Sequence, residues 1–405
     1  MFMRVESRII ESSRPMFSSS NMTRPTARPD WNNLEVLQRN RLPARAHFYN
    51  FDSEASALTR DPKKSSLYRS LNGTWKFRHD RSPLEAPAWD DATDPTSWDD
   101  ISVPGMWQLQ GYGTPQYTNV NYPFPIDPPN VPVENETGSY FRRFSLPENW
   151  DLDTQSVRLR FEGVDSAYHV WVNGREVGYS QGSRNAAEFD VTEPLIQSNG
   201  AVNTIAMRVY KYCDGTYIED QDQWWLSGIF RDVYLIAFPR RGMTDFTFTS
   251  RLDDDFANGE ITASVQTSGG PVEFGVKLIS PNGRVLAEKT GNKHVTLSVT
   301  DTDLKLWSAE KPNLYTVILS CGNQFIPQRI GIRRIEMRNG NITLNGQPIV
   351  FYGVNRHEHH PIHGRSVPCE YMKLDLVLMK QHNVNAIRTS HYTPTTRLCT
   401  TWRMS

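Results

Sequence analysis

Long apolar runs are missing from this chain of 405 residues: charge, Pro or Gly interrupts every hydrophobic stretch well short of the roughly 18 to 20 residues a bilayer-spanning helix needs. No membrane span is expected. An excess of either charge is missing too. Lys and Arg number 44 against 45 Asp and Glu, a formal net charge of -1, which leaves no electrostatic footprint for nucleic acid or an anionic membrane surface. Cysteine is scarce. Cys213, Cys321, Cys369 and Cys399 follow no metal or disulfide spacing, which suits a reducing, cytoplasmic compartment. The first 30 residues lack the apolar stretch of a secretory signal, and Glu6 and Glu11 are out of place in a mitochondrial presequence, so they read as a disordered tail. The sequon Asn135-Glu136-Thr137 does not change this, because so short a pattern arises often by chance.

Helical periodicity is also scarce, and what replaces it is β-structure. Val157, Leu159 and Phe161 alternate with Arg158 and Arg160, as a half-buried strand requires. Tyr168 to Val172 leads into Asn173-Gly174, two residues that tolerate positive φ, and the pattern predicts a type I′ hairpin returning through Val177 and Tyr179. Further strands are expected at Glu188 to Val191, Asn203 to Tyr210 and Arg231 to Ala237. Between them Val103 to Thr137 is packed with Pro, Tyr and Asn and reads as a long structured loop, uncommon unless functional. After Pro239-Arg240-Arg241-Gly242 come six short segments: Thr244 to Ser250, Glu260 to Thr267, Val272 to Ile279, His294 to Val299, Leu314 to Ser320 and Gln328 to Glu336. They suit a small immunoglobulin-like sandwich.

From Ile342 the pattern changes. Ile349 to Val354 reads as one buried parallel strand, the residues around Tyr371 to Met379 as a helix, and Asn385 to Arg388 as the next strand. Strand, helix, strand is one βαβ unit, the start of a (β/α)₈ barrel or of a doubly wound sheet.

Three blocks of unusual composition give this outline a family likeness. They are Tyr117-Thr118-Asn119-Val120; Glu219-Asp220-Gln221-Asp222 with Trp224-Trp225-Leu226-Ser227-Gly228-Ile229-Phe230-Arg231-Asp232; and Gly353-Val354-Asn355-Arg356-His357-Glu358-His359-His360-Pro361 with Arg388-Thr389-Ser390-His391-Tyr392. In order and spacing the chain resembles the front part of the LacZ-type β-galactosidases, retaining glycoside hydrolases of family 2. The resemblance implies a multidomain, mainly β architecture. Its parts are a jelly-roll-like sugar-binding sandwich with an N-terminal arm (31–240), an immunoglobulin-like sandwich (241–334) and the first βαβ unit of a truncated barrel (335–392).

The same resemblance implies roles. Asn119 and Asp222 are expected to bind galactose hydroxyls of β-galactosides such as lactose, Asp222 also to contribute to a sodium site, and His357 and His391 to line the pocket from the first two barrel strands. A carboxylate accepts hydroxyl hydrogen bonds and an amide both donates and accepts, which suits a neutral polyol. On the residues alone the structural reading is stronger: Asn119 satisfies its own loop, Asp222 pairs with Arg231, and at least one of Trp224 and Trp225 lies in a core. The His357-Glu358-His359-His360 run lacks the spacing of a zincin helix; His357 and His359 share a strand face, but no third metal ligand is evident.

Retaining glycosidases need two carboxyls about 5 Å apart, and in the resembled family both are glutamates of later barrel strands. No position here corresponds to them. The family uses magnesium and sodium; its magnesium ligands also lie mainly beyond this end, so magnesium is not expected to be retained. The family is homo-oligomeric, and Trp31 to Asn50 resembles a region of subunit contact. Residues 393–405 depart from the family pattern. Moving the frame back one base lets Thr401 to Ser405 spell Asp-Leu-Ala-Asp-Glu, so a frameshifted tail is expected there. The expectation is a galactosidase chain inactive by itself. A non-catalytic carbohydrate-binding protein and an assembly partner are the alternatives.

Overall fold

The strand Val233–Pro239 shows how the domains are joined. Its residues are apolar without alternation, and both faces are buried. Val233, Leu235 and Ala237 enter the core of one sandwich, while Tyr234, Ile236 and Phe238 enter the core of the next. A run that a sheet with one wet face could not accommodate is explained by a second layer on the far side. The computed structural model describes residues 28–89, 95–119, 121–198, 200–300, 302 and 304–395. The expected tail before residue 28 and most of the expected frameshifted segment lie outside them.

The first sandwich opposes a seven-stranded sheet to a four-stranded one. The large sheet runs, edge to edge, Gln38–Arg39, Arg175–Gln181, Ala167–Val172, Asn203–Tyr210, Thr137–Phe144, Gly73–Asp80 and Asp99–Val103. The small one runs Ala187–Asp190, Gln155–Phe161, Val233–Pro239 and Tyr68–Ser70. The predicted hairpin turns at Asn173 (φ 50°) and Gly174 (φ 77°), both left-handed as a type I′ turn demands. Val157, Leu159 and Phe161 point into the core, and each such side chain contributes roughly 1.5–3 kcal/mol relative to exposure. The sequon residue Asn135 is fully buried, with its amide donating to the Tyr212 carbonyl at 2.8 Å.

The second sandwich pairs Gly242–Leu252, Gly259–Ser268 and His294–Val299 against Val285–Gly291, Phe274–Ile279, Tyr315–Cys321 and Gln324–Ile330. Its last strand departs from the expected Gln328 to Glu336. Gly322, at φ 53°, turns the chain early, and pairing begins at Cys321 with Gln324. Pro327 is tolerated because this strand lies at a sheet edge, where a missing N–H faces no partner.

A three-stranded meander, Ile335–Arg338, Asn341–Leu344 and Gln347–Pro348, leads into the βαβ unit. Gly353–Arg356 pairs in parallel with Ala386–Thr389, and the helix Cys369–Gln381 connects them. Met372 and Leu376, one helical turn apart, pack against Val367 and Ile387. The first barrel strand is shorter than the apolar run predicts. The Asn385 side chain donates to the Val350 carbonyl and accepts from the Tyr352 N–H, both at 2.8 Å, and so occupies backbone groups that would otherwise extend the ladder. Val350, Phe351 and Tyr352 are left 61–68% exposed. Among the described residues no helix is long and apolar enough to cross a membrane.

Candidate functional site

Within the Pro-rich segment, Gln116–Thr118 pairs antiparallel with Gln223–Trp225. The register sets Thr118 opposite Gln223, so Asn119 and Asp222 are the residues that flank the two strands at the same end of the ribbon. Both residues are exposed. The Tyr117 hydroxyl donates to the Asp222 carboxylate, and Trp225 Nε1 donates to Thr118 Oγ1 at 2.6 Å. Asp222 therefore does not pair with Arg231. Neither tryptophan enters a core, contrary to expectation: Trp225 is half-buried against Tyr122, Phe124 and Tyr212, and Trp224 stands 43% exposed beside Tyr117.

The barrel segment supplies the facing groups. Arg356 and Thr389 are level in the parallel pair, so the residues that follow leave the sheet at the same height. His357 comes directly after the first strand and His391 shortly after the second; their rings are perpendicular, with centroids 6.2 Å apart. Tyr392 fixes this corner, its hydroxyl accepting from the Glu358 N–H at 2.8 Å and lying 3.5 Å from His357 Nδ1. Burial, then the neighbouring His391, holds the His357 imidazole below its usual range, and Asp222 pulls it in the opposite direction. His357 thus feels both His391 beside it and Asp222 across the domain boundary, with Asn119 on the same ribbon end as Asp222.

Buried ion pairs hold the two sides together. Arg231 donates to Glu358 at 2.9 Å and to the Thr393 carbonyl at 2.9 Å; within the barrel segment itself Arg356 pairs with the half-exposed Asp375 at 2.8 Å. Arg365 enters the sandwich, donating to Asp165 and to the Leu226 carbonyl. The preceding Gly364 permits this close approach. It has φ of 56°, and a Cβ there would lie 2.8 Å from the side chains of both Leu109 and Leu226. Arg184 reaches the same Asp165 at 3.8 Å and Glu219 at 3.7 Å, with its guanidinium over the Tyr392 ring. No sequence spacing pairs Asp165 with Arg365, two hundred positions apart; the Gly before Arg365 was the single local signal.

Three successive segments of the chain match family models: residues 68–239 the sugar binding domain of glycosyl hydrolases family 2, residues 243–333 a further family 2 domain, and residues 335–402 the family 2 TIM barrel domain. The chain belongs to glycosyl hydrolase family 2. Solved structures agree on the fold. A β-glucuronidase of an uncultured Clostridium species is similar at 23% identity and a TM-score of 0.68, over 83% of this chain and 57% of that one. A Ruminococcus gnavus β-glucuronidase is similar at 22% identity and a TM-score of 0.67, over 82% and 55%. The apo form of an R. gnavus β-glucuronidase gives 23%, 0.68, 84% and 58%. This family 2 chain therefore spans a little over half the length of the structures it matches, and likeness at such identity speaks for fold alone.

Family 2 resemblance also raises the question of cations. Among the described residues no three His, Cys, Asp or Glu side chains gather as a metal cluster. Hard cations, however, accept amide and carbonyl oxygens as readily as carboxylates. Both Asp214 carboxylate oxygens and Gln181 Oε1 are buried without a hydrogen bond of regular geometry. Gln181 also donates to the Val36 carbonyl at 3.5 Å. Burial raises the Asp214 pKa, against the Gln181 amide and the Gly215 and Asn33 N–H groups, which favour the charged form. This acceptor-rich pocket fits a small oxygen-loving cation, although magnesium was not expected in this part of the chain.

Proposed function

We propose that this chain carries the sugar-recognising portion of a β-galactosidase of the LacZ type. Asn119 and Asp222 bind hydroxyls of a terminal β-galactosyl unit from the sandwich side, and His357 and His391 bound the same pocket from the barrel side. The observation that carries the reading is the perpendicular pair of imidazoles, His357 and His391, with centroids 6.2 Å apart just beyond the two barrel strands, and the Asp222 carboxylate acting on His357 from the sandwich side. A hydroxyl-rich neutral ligand satisfies an exposed carboxylate, an amide and two imidazoles without bringing a charge of its own.

A uronide is the competing substrate, since the similar structures are named as glucuronidases. A carboxylated sugar needs a cation to receive it, but the buried arginines around the site already face carboxylates: Arg184 and Arg365 face Asp165, Arg231 faces Glu358 and Arg356 faces Asp375. The exposed Asp222 would repel a uronate. This supports a neutral hexose.

Hydrolysis in the retaining mode takes two carboxyls about 5 Å apart. The first two barrel strands supply no such pair from the matching positions, so these 405 residues by themselves are proposed to bind galactosides such as lactose without turnover. A sodium ion at Asp222 and a magnesium or sodium ion between Asp214 and Gln181 belong to the same proposal. The test is calorimetric titration of the purified chain with galactose and with glucuronate, beside assays on nitrophenyl galactoside and glucuronide. Binding of galactose alone, without turnover, supports the reading; preferential binding of glucuronate, or release of nitrophenol, overturns it.

A further inference from the structure

The loop that carries Asp222 is fastened at both ends, and both fastenings lead to one buried carboxylate. Upstream, Glu219 accepts from the Ser183 N–H at 2.9 Å and from the Ser183 hydroxyl at 2.5 Å, and it faces Arg184 at 3.7 Å. Downstream, the Leu226 carbonyl accepts from Arg365. Arg184 belongs to the sandwich and Arg365 to the loop after the first barrel strand, yet both guanidinium groups converge on Asp165. The three side chains are at least 89% buried. Asp165 lies on a short strand, Val164–Asp165, that pairs with Gly228–Ile229 just beyond the same loop.

We infer that Asp165, shared by Arg184 and Arg365, is a positioning residue that registers Asp222 of the sandwich against His357 and His391 of the barrel. The inference rests on the sugar-binding reading of that site. Its physical basis is that the buried Arg365 has Asp165 as its carboxylate partner while Arg184 divides itself between Asp165 and Glu219, and removing one partner of a buried ion pair leaves an uncompensated charge. Arg184 also lies over Tyr392, whose hydroxyl sits beside His357, so the network touches the histidine corner as well as the Asp222 loop.

The experiment compares the full chain with Asp165→Asn, Arg365→Gln and the double variant Asp165→Asn/Arg365→Gln. Hydrogen exchange is followed in peptides covering residues 219–226 and 353–392, and galactose affinity is measured in parallel. Each single variant is expected to speed exchange in both peptides by about tenfold or more while the sandwich core strands stay protected, and to weaken galactose binding similarly. The double variant, in which the two new amides can hydrogen-bond and Arg184 keeps Glu219 as its counter-charge, is expected to recover both readouts to within about threefold. A merely structural loss would not be rescued in this way. Unchanged exchange in the single variants, or a double variant no better than either, overturns the inference. If the unaltered chain binds no galactose, the sugar-binding reading fails, and the exchange data alone decide the registering role.

Discussion

Arg231 of the sandwich and Glu358 of the barrel segment meet at 2.9 Å, each side chain no more than 7% exposed. Glu358 uses its second oxygen to accept from the Thr395 N–H at 2.9 Å, so one carboxylate ties the sandwich to both loops that carry the histidines. Changing Glu358→Ala strands Arg231 without a counter-charge at a cost of about 3–5 kcal/mol. Protease cleavage within 353–392 should accelerate at least tenfold while the sandwich stays intact. Cleavage at the original rate would show that the pair holds nothing.

The Tyr117 hydroxyl orients Asp222 at an exposed ribbon end. Tyr117→Phe removes one hydrogen bond to a charged group, and galactose affinity should fall measurably with the melting temperature unmoved. Asp222→Asn should remove most of the binding. An affinity in Tyr117→Phe equal to the original would place Asp222's orientation elsewhere.

Acid should weaken the fold through His169. Burial pushes this imidazole down from 6.5 to about 4, with Nδ1 beside the Tyr210 hydroxyl at 2.9 Å and Nε2 beside Asp30 at 3.2 Å. Between pH 6.5 and about 4 the unfolded chain takes up a proton that the folded chain refuses, so stability falls as pH falls through that window, by about 2–3 kcal/mol at its end. Urea unfolding at pH 7, 6 and 5 should show the decline, and His169→Gln should flatten it. A parallel decline in the variant would assign the effect to another group.

Magnesium in the millimolar range should raise the melting temperature if a cation sits between Asp214 and Gln181, and a chelator should lower it. Asp214→Asn should abolish the response. A response that persists in that variant would move the ion away from Asp214.

The exposed Val350, Phe351 and Tyr352 form an apolar patch at the start of the barrel segment. Replacing all three with Ser, Thr or Lys should reduce aggregation of the isolated chain, measured by light scattering, without altering the sandwich melt. Equal aggregation would show that this patch is not the sticky surface.

Much of this protein was written locally. The strand Asn203–Tyr210 and the Asn173-Gly174 turn were legible because alternation and positive φ are properties of a few consecutive residues. The start of Gln324–Ile330 and the start of Gly353–Arg356 were not, because the first depends on an early turn at Gly322 and the second on an asparagine supplied from the next strand. The residue types expected at the site, Asn119, Asp222, His357 and His391, were named from motifs. Tertiary structure alone brought Asn119 and Asp222 to one ribbon end, turned Arg231 toward Glu358 instead of Asp222, and brought Arg365 to Asp165. The physical reason is range: propensity and periodicity act over neighbouring residues, whereas a buried charge finds its partner only after distant segments have packed and water has been excluded between them.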